Sequence, residues 1–568
     1  MQKYQWNLRT RGTQVETRLA GELKISPLLA SLLEARGLCL PDEAARFLSP
    51  SLNQLHDPML LRGMDRVVER LERAISGGEQ ILVYGDYDVD GITSVVILKK
   101  CLELAGAKVQ YHVPERLSEG YGLRADRVRK AAEDGIRLIV SVDSGICANE
   151  AAEAAVECGV DLIITDHHLP ELRLPPAYEI LNPNRLDCSY PDKHLAGVGV
   201  AFKVVQAMLQ RRGQERLIPS FLKIVAIGTI ADIVPLLGEN RVFVKIGLEG
   251  LKSPRNLGLK ALLDSAGVLG RQIDYSAVGF RIAPRINAVG RMGETSDAVR
   301  LFDSLEEEEA RRIAEKLNDK NLWRQREQEE ILKSIQLKLQ NEPHAFETDV
   351  IILWDECWHR GVIGIVASRV METYGRPVLI ASVEDGLATG SGRSFGDFHL
   401  LQALQSCHDL FQRYGGHRNA AGFTMEAALL PELRARLNRY AAEYFPERPK
   451  PAIAVDSLLS VRELNYRVWE EISRLEPYGF CNPVPVFLDN EVSIKAGPFT
   501  LKDKHLKWKL CSTTCSEALW WNHAEKFESL KQLRSFRAVY EVEMNEFRGE
   551  RSLVARIRDV GLPADLSS

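Results

Sequence analysis

The chain has 568 residues, a formal net charge of −5, 45% hydrophobic and 27% charged residues. That length exceeds a single core and sets an expectation of three or four domains, and the acidic balance excludes a histone-like polycation while leaving local basic patches open. No run of about 20 apolar residues predicts a membrane span, the start MQKYQWNLRTRG lacks the apolar centre of a signal peptide, and ten scattered cysteines fit free thiols in a reducing cytoplasm.

Residues 1 to about 75 read as a helical lead-in, with Leu28, Leu29, Leu32 and Leu33, then Val67, Val68 and Leu71, at helical spacing. From Gln80 strands and helices alternate. ILVYGDYDVDGIT (81–93) begins as a buried strand and breaks at Gly85. It then carries Asp86, Asp88 and Asp90 at alternate positions and opens a helix at Gly91 that runs to 104. A strand at 109–113, a helix at 125–133 and a strand at 137–142 follow, the last ending at Asp143. A helix at 149–158 then leads to a strand at 161–165, which ends at Asp166-His167-His168. Nearly continuous apolar strands between helices imply a parallel sheet covered on both faces. Ligands of such sheets bind beyond the carboxyl ends of the strands, where all these acids fall. Any one of them alone fits a helix N-cap, but three groups on one edge do not. Clustered acids repel unless a cation lies among them, and hard divalent cations take oxygen ligands. Asp232, inside the apolar stretch FLKIVAIGTIADIVP (221–235), joins the same cluster, because a buried Asp needs a partner or a metal. Mixed carboxylate and imidazole ligands suit two closely spaced Mn²⁺ or Mg²⁺ ions.

FRIAPRINAVGRMG (280–293) reads as a glycine-bearing loop whose Arg281, Arg285 and Arg291 hold phosphate or, alternatively, make surface ion pairs. Residues 306–340 form a long charged helix with one apolar stripe, Ile313, Leu317, Ile331, Ile335 and Leu339. Such a helix spans roughly 50 Å and serves as a connector between two lobes. A second α/β unit follows, with strands at 350–354 and 377–382 around a helix at 361–374. GSGRS (390–394) and GGHRNAAGF (415–423) read as glycine-rich loops that hold phosphate through Ser391, Arg393 and His417, or simply turn tightly. From Ala452 the pattern changes to short alternating strands, at 505–510, 537–544 and 553–557, as in a small β-barrel. Between 495 and 558 there are 13 Lys/Arg against 8 Asp/Glu. Trp508, Trp520, Trp521, Phe536, Tyr540 and Phe547 interleave with them, the composition of a groove for single strands. At least half of these aromatics are expected to fill the barrel core. Cys511 and Cys515, flanked by His505 and His523, have irregular spacing for zinc and read as ordinary thiols.

The ordered set YGDYDVDG, VDSG, DHH, GTIAD, PRINA and GGH resembles the DHH phosphoesterase superfamily from about residue 75 to the end. WHRGVIGIVASR (358–369) and LEPYGFCNPVPVF (475–487) look like its RecJ branch. The resemblance implies an α/β fold: a parallel-sheet DHH catalytic domain, a connector helix, a smaller α/β domain and a C-terminal OB-like barrel. With the lead-in at 1–75, these occupy 76–303, 304–344, 345–448 and 449–568. It implies Asp88, Asp90, Asp143, His167 and Asp232 as ligands of two Mn²⁺ or Mg²⁺ ions, with Asp143 bridging. Asp86 and Asp166 match further acids of the motifs, and His168 a histidine near the scissile phosphate. Arg116, Ser391 and Arg393 match positions that grip a 5′-phosphate, while His359 and His417, with Arg285, Asn287 and Arg291 of PRINAVGR, face the substrate. Ser144 stands where cysteine is expected in many relatives and touches no expected ligand role. The activity implied is 5′→3′ hydrolysis of single-stranded DNA to 5′-mononucleotides in DNA repair and recombination. The expected agent is a cytoplasmic monomer working with a helicase and a single-strand-binding protein. The alternatives are a phosphodiesterase for short RNA or cyclic dinucleotides, and a non-catalytic DNA-binding scaffold.

Overall fold

The structure is a computed structural model that describes residues 4–9, 12–115, 119–120, 122–292, 294–341, 346, 348–445, 452–547 and 550–562. The lead-in is not purely helical. It starts with a strand, β1 (Gln5–Leu8), paired in parallel with β12 (Ala452–Val455) near the C-terminal barrel. Helices Gln14–Leu23, Pro27–Glu34 and Pro41–Leu48 follow. Their apolar residues Leu19, Leu29, Leu32 and Phe47 share a core with Trp508, Phe536 and Tyr540 of that barrel. Helix Met64–Gly77 instead packs Val67, Val68 and Leu71 onto the first sheet. Helical spacing shows which face is buried and not what covers it, so this division between two cores is invisible in the pattern.

The first sheet is entirely parallel, in the order β3 (Lys108–His112), β2 (Gln80–Tyr84), β4 (Leu138–Val142), β5 (Asp161–Thr165), β6 (Glu179–Leu181). Ile81, Val83, Leu138 and Val140 enter the core on one face, Leu82, Tyr84, Ile139 and Leu162 the core on the other. Both faces being covered is why these strands read as unbroken apolar runs. β6 has three residues, too few to leave a signal. The order makes β2, β4 and β5 neighbours, so the acids at their carboxyl ends converge on one rim. The helix after β2 spans Val89–Leu104 and starts two residues before Gly91. Asp88 is its N-cap, accepting from the Gly91 N–H at 3.0 Å. Gly91 lies inside the first turn because a Cβ there would stand 2.6 Å from the Asp86 backbone.

The stretch at 280–293 is not a loop. A π-helical turn, Val278–Ile282, runs into helix Ala283–Met292. Ile282, Ile286 and Val289 are buried at helical spacing. Gly290 permits this helix to approach the Tyr87 carbonyl, 2.4 Å from where a Cβ would sit. The long helix spans Glu307–Asn341. Ile313 and Leu317 belong to the core of the first sheet, whereas Ile331 and Ile335 belong to that of the following unit.

That unit is a sheet in the order β10 (Arg413–Gly416), β11 (Ala420–Glu426), β9 (Leu387–Arg393), β8 (Val378–Glu384), β7 (Ile351–Asp355). The two glycine-rich stretches are therefore largely strands, not loops. A Cβ at Gly390 would meet the Phe423 ring at 2.0 Å, and one at Gly392 would meet Leu400 at 2.9 Å. These glycines make room for packing against the sheet. In the last unit β14 (Phe487–Leu501), β15 (His505–Leu510), β16 (Glu517–Trp520), β18 (Glu550–Gly561) and β17 (Ser535–Phe547) close into a barrel through the β14–β17 pairing. A short β13 (Ser457–Leu458) pairs alongside β14. Trp508, Trp520, Phe536 and Tyr540 fill its core, Trp521 is 40% exposed, and the Phe547 side chain lies outside the described residues. Among the described residues no helix is long and apolar enough to cross a membrane.

Candidate metal centre

Each acid of the first rim is placed by a different device. Asp143 ends β4 in a left-handed conformation, φ +57°, which Asp tolerates. Gly197 lies so close that a Cβ there would be 2.3 Å from Asp143 Oδ1. Asp90, 1% exposed, accepts from the backbone N–H groups of Gly197 at 2.7 Å and Val198 at 2.8 Å. These open the helix Gly197–Arg211, whose N-terminus favours a carboxylate. Asp232 caps the C-terminal end of helix Ile218–Ala231 and is less enclosed than its apolar surroundings suggest, its side chain 26% exposed.

His167 stands at the centre. Its Nε2 lies 3.3 Å from Asp143 Oδ1, 3.6 Å from Asp232 Oδ2 and 3.9 Å from Asp90 Oδ2. Burial, reinforced by the nearby His168, pushes His167 down to about 4, so the ring is neutral. Its Nε2 faces the carboxylates, the atom through which a neutral imidazole binds a metal. Burial first, then mutual repulsion with neighbouring acids, raises Asp90 and Asp143 well above the ordinary carboxylate range. Asp232 is pushed up to about 7 by burial and by Asp88. Asp143 Oδ1 and His167 Nε2 are both buried without a hydrogen-bond partner among the described residues. Two such buried atoms facing each other at 3.3 Å fit a cation held between them. Ligand atoms of Asp86, Asp88 and Asp143 converge within 4.8 Å, as do those of Asp90, His167 and Asp232. Asp143 Oδ1 and His167 Nε2 join the two groups, so the residues present fit a pair of hard divalent ions.

Asp166 does something else. Its oxygens accept from the N–H groups of Ile146 at 3.0 Å and His167 at 2.7 Å, and from His168 Nδ1 at 2.7 Å. Burial alone would raise it, but these bonds, His168 above all, hold it below the usual range. In return burial's pull on His168 is overcome by Asp166, and the imidazole is raised towards its cationic form. Two residues absent from the sequence reading complete the loop. Asn184 Nδ2 donates to the His167 carbonyl at 2.6 Å and Asn182 Nδ2 to that of His168 at 2.9 Å. Asparagines after a strand read as turn formers, which is why neither stood out.

The expected substrate residues divide. Arg393 Nη1 donates to Ser391 Oγ at 3.0 Å and its Nε to Ser368 Oγ at 3.1 Å. Gly364, at the start of helix Ile363–Tyr374, leaves open space beside both: a Cβ there would be 3.1 Å from Ser391 Oγ and 3.3 Å from Arg393 Nη2. A guanidinium, two hydroxyls and the start of a helix thus stand side by side. His359 packs edge-on against Trp323 of the long helix, centroids 5.1 Å apart, and His417 is exposed at the end of β10. Arg285 is turned away, its Nη2 donating to the Ser265 carbonyl at 3.1 Å and its Nη1 to that of Arg281. Arg281 likewise binds the Ala266 and Gly267 carbonyls. Both cap a neighbouring chain turn. Asn287 is half-buried on helix Ala283–Met292. Arg291 lies in the same helix with its side chain outside the described residues, and Arg116 is wholly outside them. Cys511 is exposed and Cys515 buried, and neither belongs to a metal-competent group among the described residues.

Comparison with known proteins covers all three bodies. The family model of the DHH family N-terminal domain matches residues 80–229, that of the DHHA1 domain 347–443, and that of the RecJ OB domain 455–559. The single-stranded-DNA-specific exonuclease RecJ of Bacillus subtilis is 35% identical over 566 residues, 99% of this chain and 71% of that protein. The crystal structure of Thermus thermophilus RecJ with Mn²⁺ superimposes with a TM-score of 0.84 at 32% identity, covering 99% of this chain and 80% of the other. The Mg²⁺ complex of the same protein gives 0.79 at 31% identity, over 99% and 79%.

Proposed function

The chain belongs to the RecJ family of single-stranded-DNA-specific exonucleases, and from that premise we propose that it degrades single-stranded DNA from the 5′ end, releasing 5′-mononucleotides. It is a metal-dependent hydrolase that uses Mn²⁺ or Mg²⁺. The observation that carries the reading is the facing pair of buried atoms, Asp143 Oδ1 and His167 Nε2. Asp86, Asp88 and Asp143 would hold one ion and Asp90, His167 and Asp232 the other, with Asp143 shared. Bound there, the ions supply a water acidic enough to attack at neutral pH and neutralise both oxygens of the displacement.

The chain's own groups do the rest. His168, drawn towards its cationic form by Asp166, would place positive charge beside the scissile phosphate. Ser391 and Arg393 receive the terminal 5′-phosphate, with Arg116, His359 and His417 along the substrate path, and Asn287 and Arg291 beside the metal rim. The barrel, with Trp521 at its surface, holds the strand further along. Such an enzyme acts in the cytoplasm as a monomer, on strands that a helicase exposes and a single-strand-binding protein covers, in repair and recombination.

The test compares Mn²⁺-dependent release of label from 5′-labelled single-stranded DNA, duplex DNA and short RNA. Mononucleotides from single-stranded DNA alone are expected. Preferred turnover of short RNA, or none of any substrate, would overturn the reading.

A further inference from the structure

The backbone that leaves the metal cluster is strained. Ile233, directly after Asp232, sits at φ +59°. Among the described residues it is the one β-branched side chain in the left-handed region, where a Cβ branch is least tolerated. Burial does not repay this, because Ile233 is 62% exposed. The segment is pinned on both sides. Asp232 N–H donates to the Gly228 carbonyl at 2.9 Å, and Leu236, fully buried, donates to the Phe480 carbonyl at 2.9 Å. Asn240 Nδ2 holds the Pro235 carbonyl at 3.1 Å. Glycine or asparagine would accept this conformation freely, yet an exposed isoleucine occupies it. The turn closes helix Ile218–Ala231, with the Ile233 N–H donating to the Ile230 carbonyl at 3.3 Å, but a smaller residue would close it without strain, so an exposed isoleucine here points to a role.

We propose that Ile233 is a substrate-contacting residue: its side chain forms an apolar seat for the nucleoside next to the scissile phosphate. Asp232 reaches into the cluster, with Oδ2 3.6 Å from His167 Nε2. The next Cα is only about 3.8 Å further along the chain, so Ile233 stands about one nucleoside from where the phosphate must lie. The acids and His168 handle charge but grip nothing apolar. A branched aliphatic side chain touches any sugar or base face without hydrogen-bond selection, as an exonuclease blind to sequence requires. This rests on the nuclease reading above.

Ile233→Gly removes the side chain and relaxes the backbone together. Its thermal midpoint should equal or exceed that of the parent, while KM for a 5′-phosphorylated oligonucleotide rises about tenfold, as loss of one aliphatic contact implies. The rise should shrink to about twofold or less on an oligonucleotide lacking the first or the second base. Lys24→Gly, which relaxes an exposed left-handed residue far from the rim, φ +51°, should leave KM unchanged. The same comparison by fluorescence anisotropy with 3′-labelled oligonucleotide, in an Asp143→Asn background, reads binding without turnover. It separates failure of this contact from failure of the nuclease reading. Unchanged KM and binding in Ile233→Gly, or a lowered thermal midpoint, would overturn the proposal.

Discussion

Two groups of buried charge lie along the helix Gly197–Arg211: the rim acids at its N-terminus, and Lys203 six residues further on, beside Glu239 in the first turn of helix Gly238–Leu251. Lys203, Glu239 and Tyr190 are essentially inaccessible to solvent. Lys203 Nζ spends its donors on Glu239 at 2.6 Å, Gln206 at 2.6 Å and the His56 carbonyl at 2.9 Å. Glu239 also accepts from the His56 N–H at 2.9 Å and from Tyr190. The rim cluster is buried too, though Asp232 less so than Asp90 and Asp143, and it has no such balance. Asp90, Asp143 and Asp232 face one imidazole that burial keeps neutral. Burial of charge therefore does not by itself mark a functional site. What marks one is burial that the protein leaves uncompensated, because the missing charge arrives with a ligand.

The contrast can be broken from either side. The largest effect is expected at Asp143→Asn, which keeps the left-handed backbone and removes the charge. Turnover should fall at least about a thousandfold, while the metal-free thermal midpoint stays level or rises because like-charge repulsion is relieved. Stopped-flow assays and calorimetric melting of the same sample check both. Glu239→Ala should do the reverse. It strands a buried ammonium and should cost about 3–5 kcal/mol in urea unfolding, with kcat of the folded fraction within about twofold. Next in size, Arg393→Ala should raise KM for a 5′-phosphorylated strand about tenfold and erase its advantage over a 5′-hydroxyl strand, as for one charge-assisted phosphate contact. The smallest effect is expected at the barrel surface. Trp521→Ala should weaken binding of long oligonucleotides about fivefold and leave short ones unaffected, within the range of one stacking contact.

Much of the first unit was legible because its signals are local. Continuous apolar strands announced a covered parallel sheet, and the acids ending β2, β4 and β5 pointed to a shared rim before any coordinates did. What escaped was long-range or volumetric. The 280–293 stretch read as a loop because Pro284, Gly290 and three arginines outweighed the helical spacing of Ile282, Ile286 and Val289. Gly390 and Gly392 read as turn residues, although their purpose is space for Phe423 and Leu400. The shared core of the N-terminal helices and the barrel joins segments more than 400 residues apart, which no window along the chain can register. Arg241 makes the same point: buried over the Phe47 ring at 3.6 Å, it binds the carbonyls of Leu475, Glu476 and Pro477, so the LEPYGF run serves as the joint between barrel and rim.

The central claim is that the rim's missing charge is a pair of divalent cations, and titration calorimetry of Mn²⁺ into the metal-free chain tests it without any DNA. The account predicts two ions per chain for the parent and loss of at least one in Asp143→Asn, with Glu239→Gln binding as the parent does. Mn²⁺ uptake that is absent from the parent, or undiminished in Asp143→Asn, would contradict it.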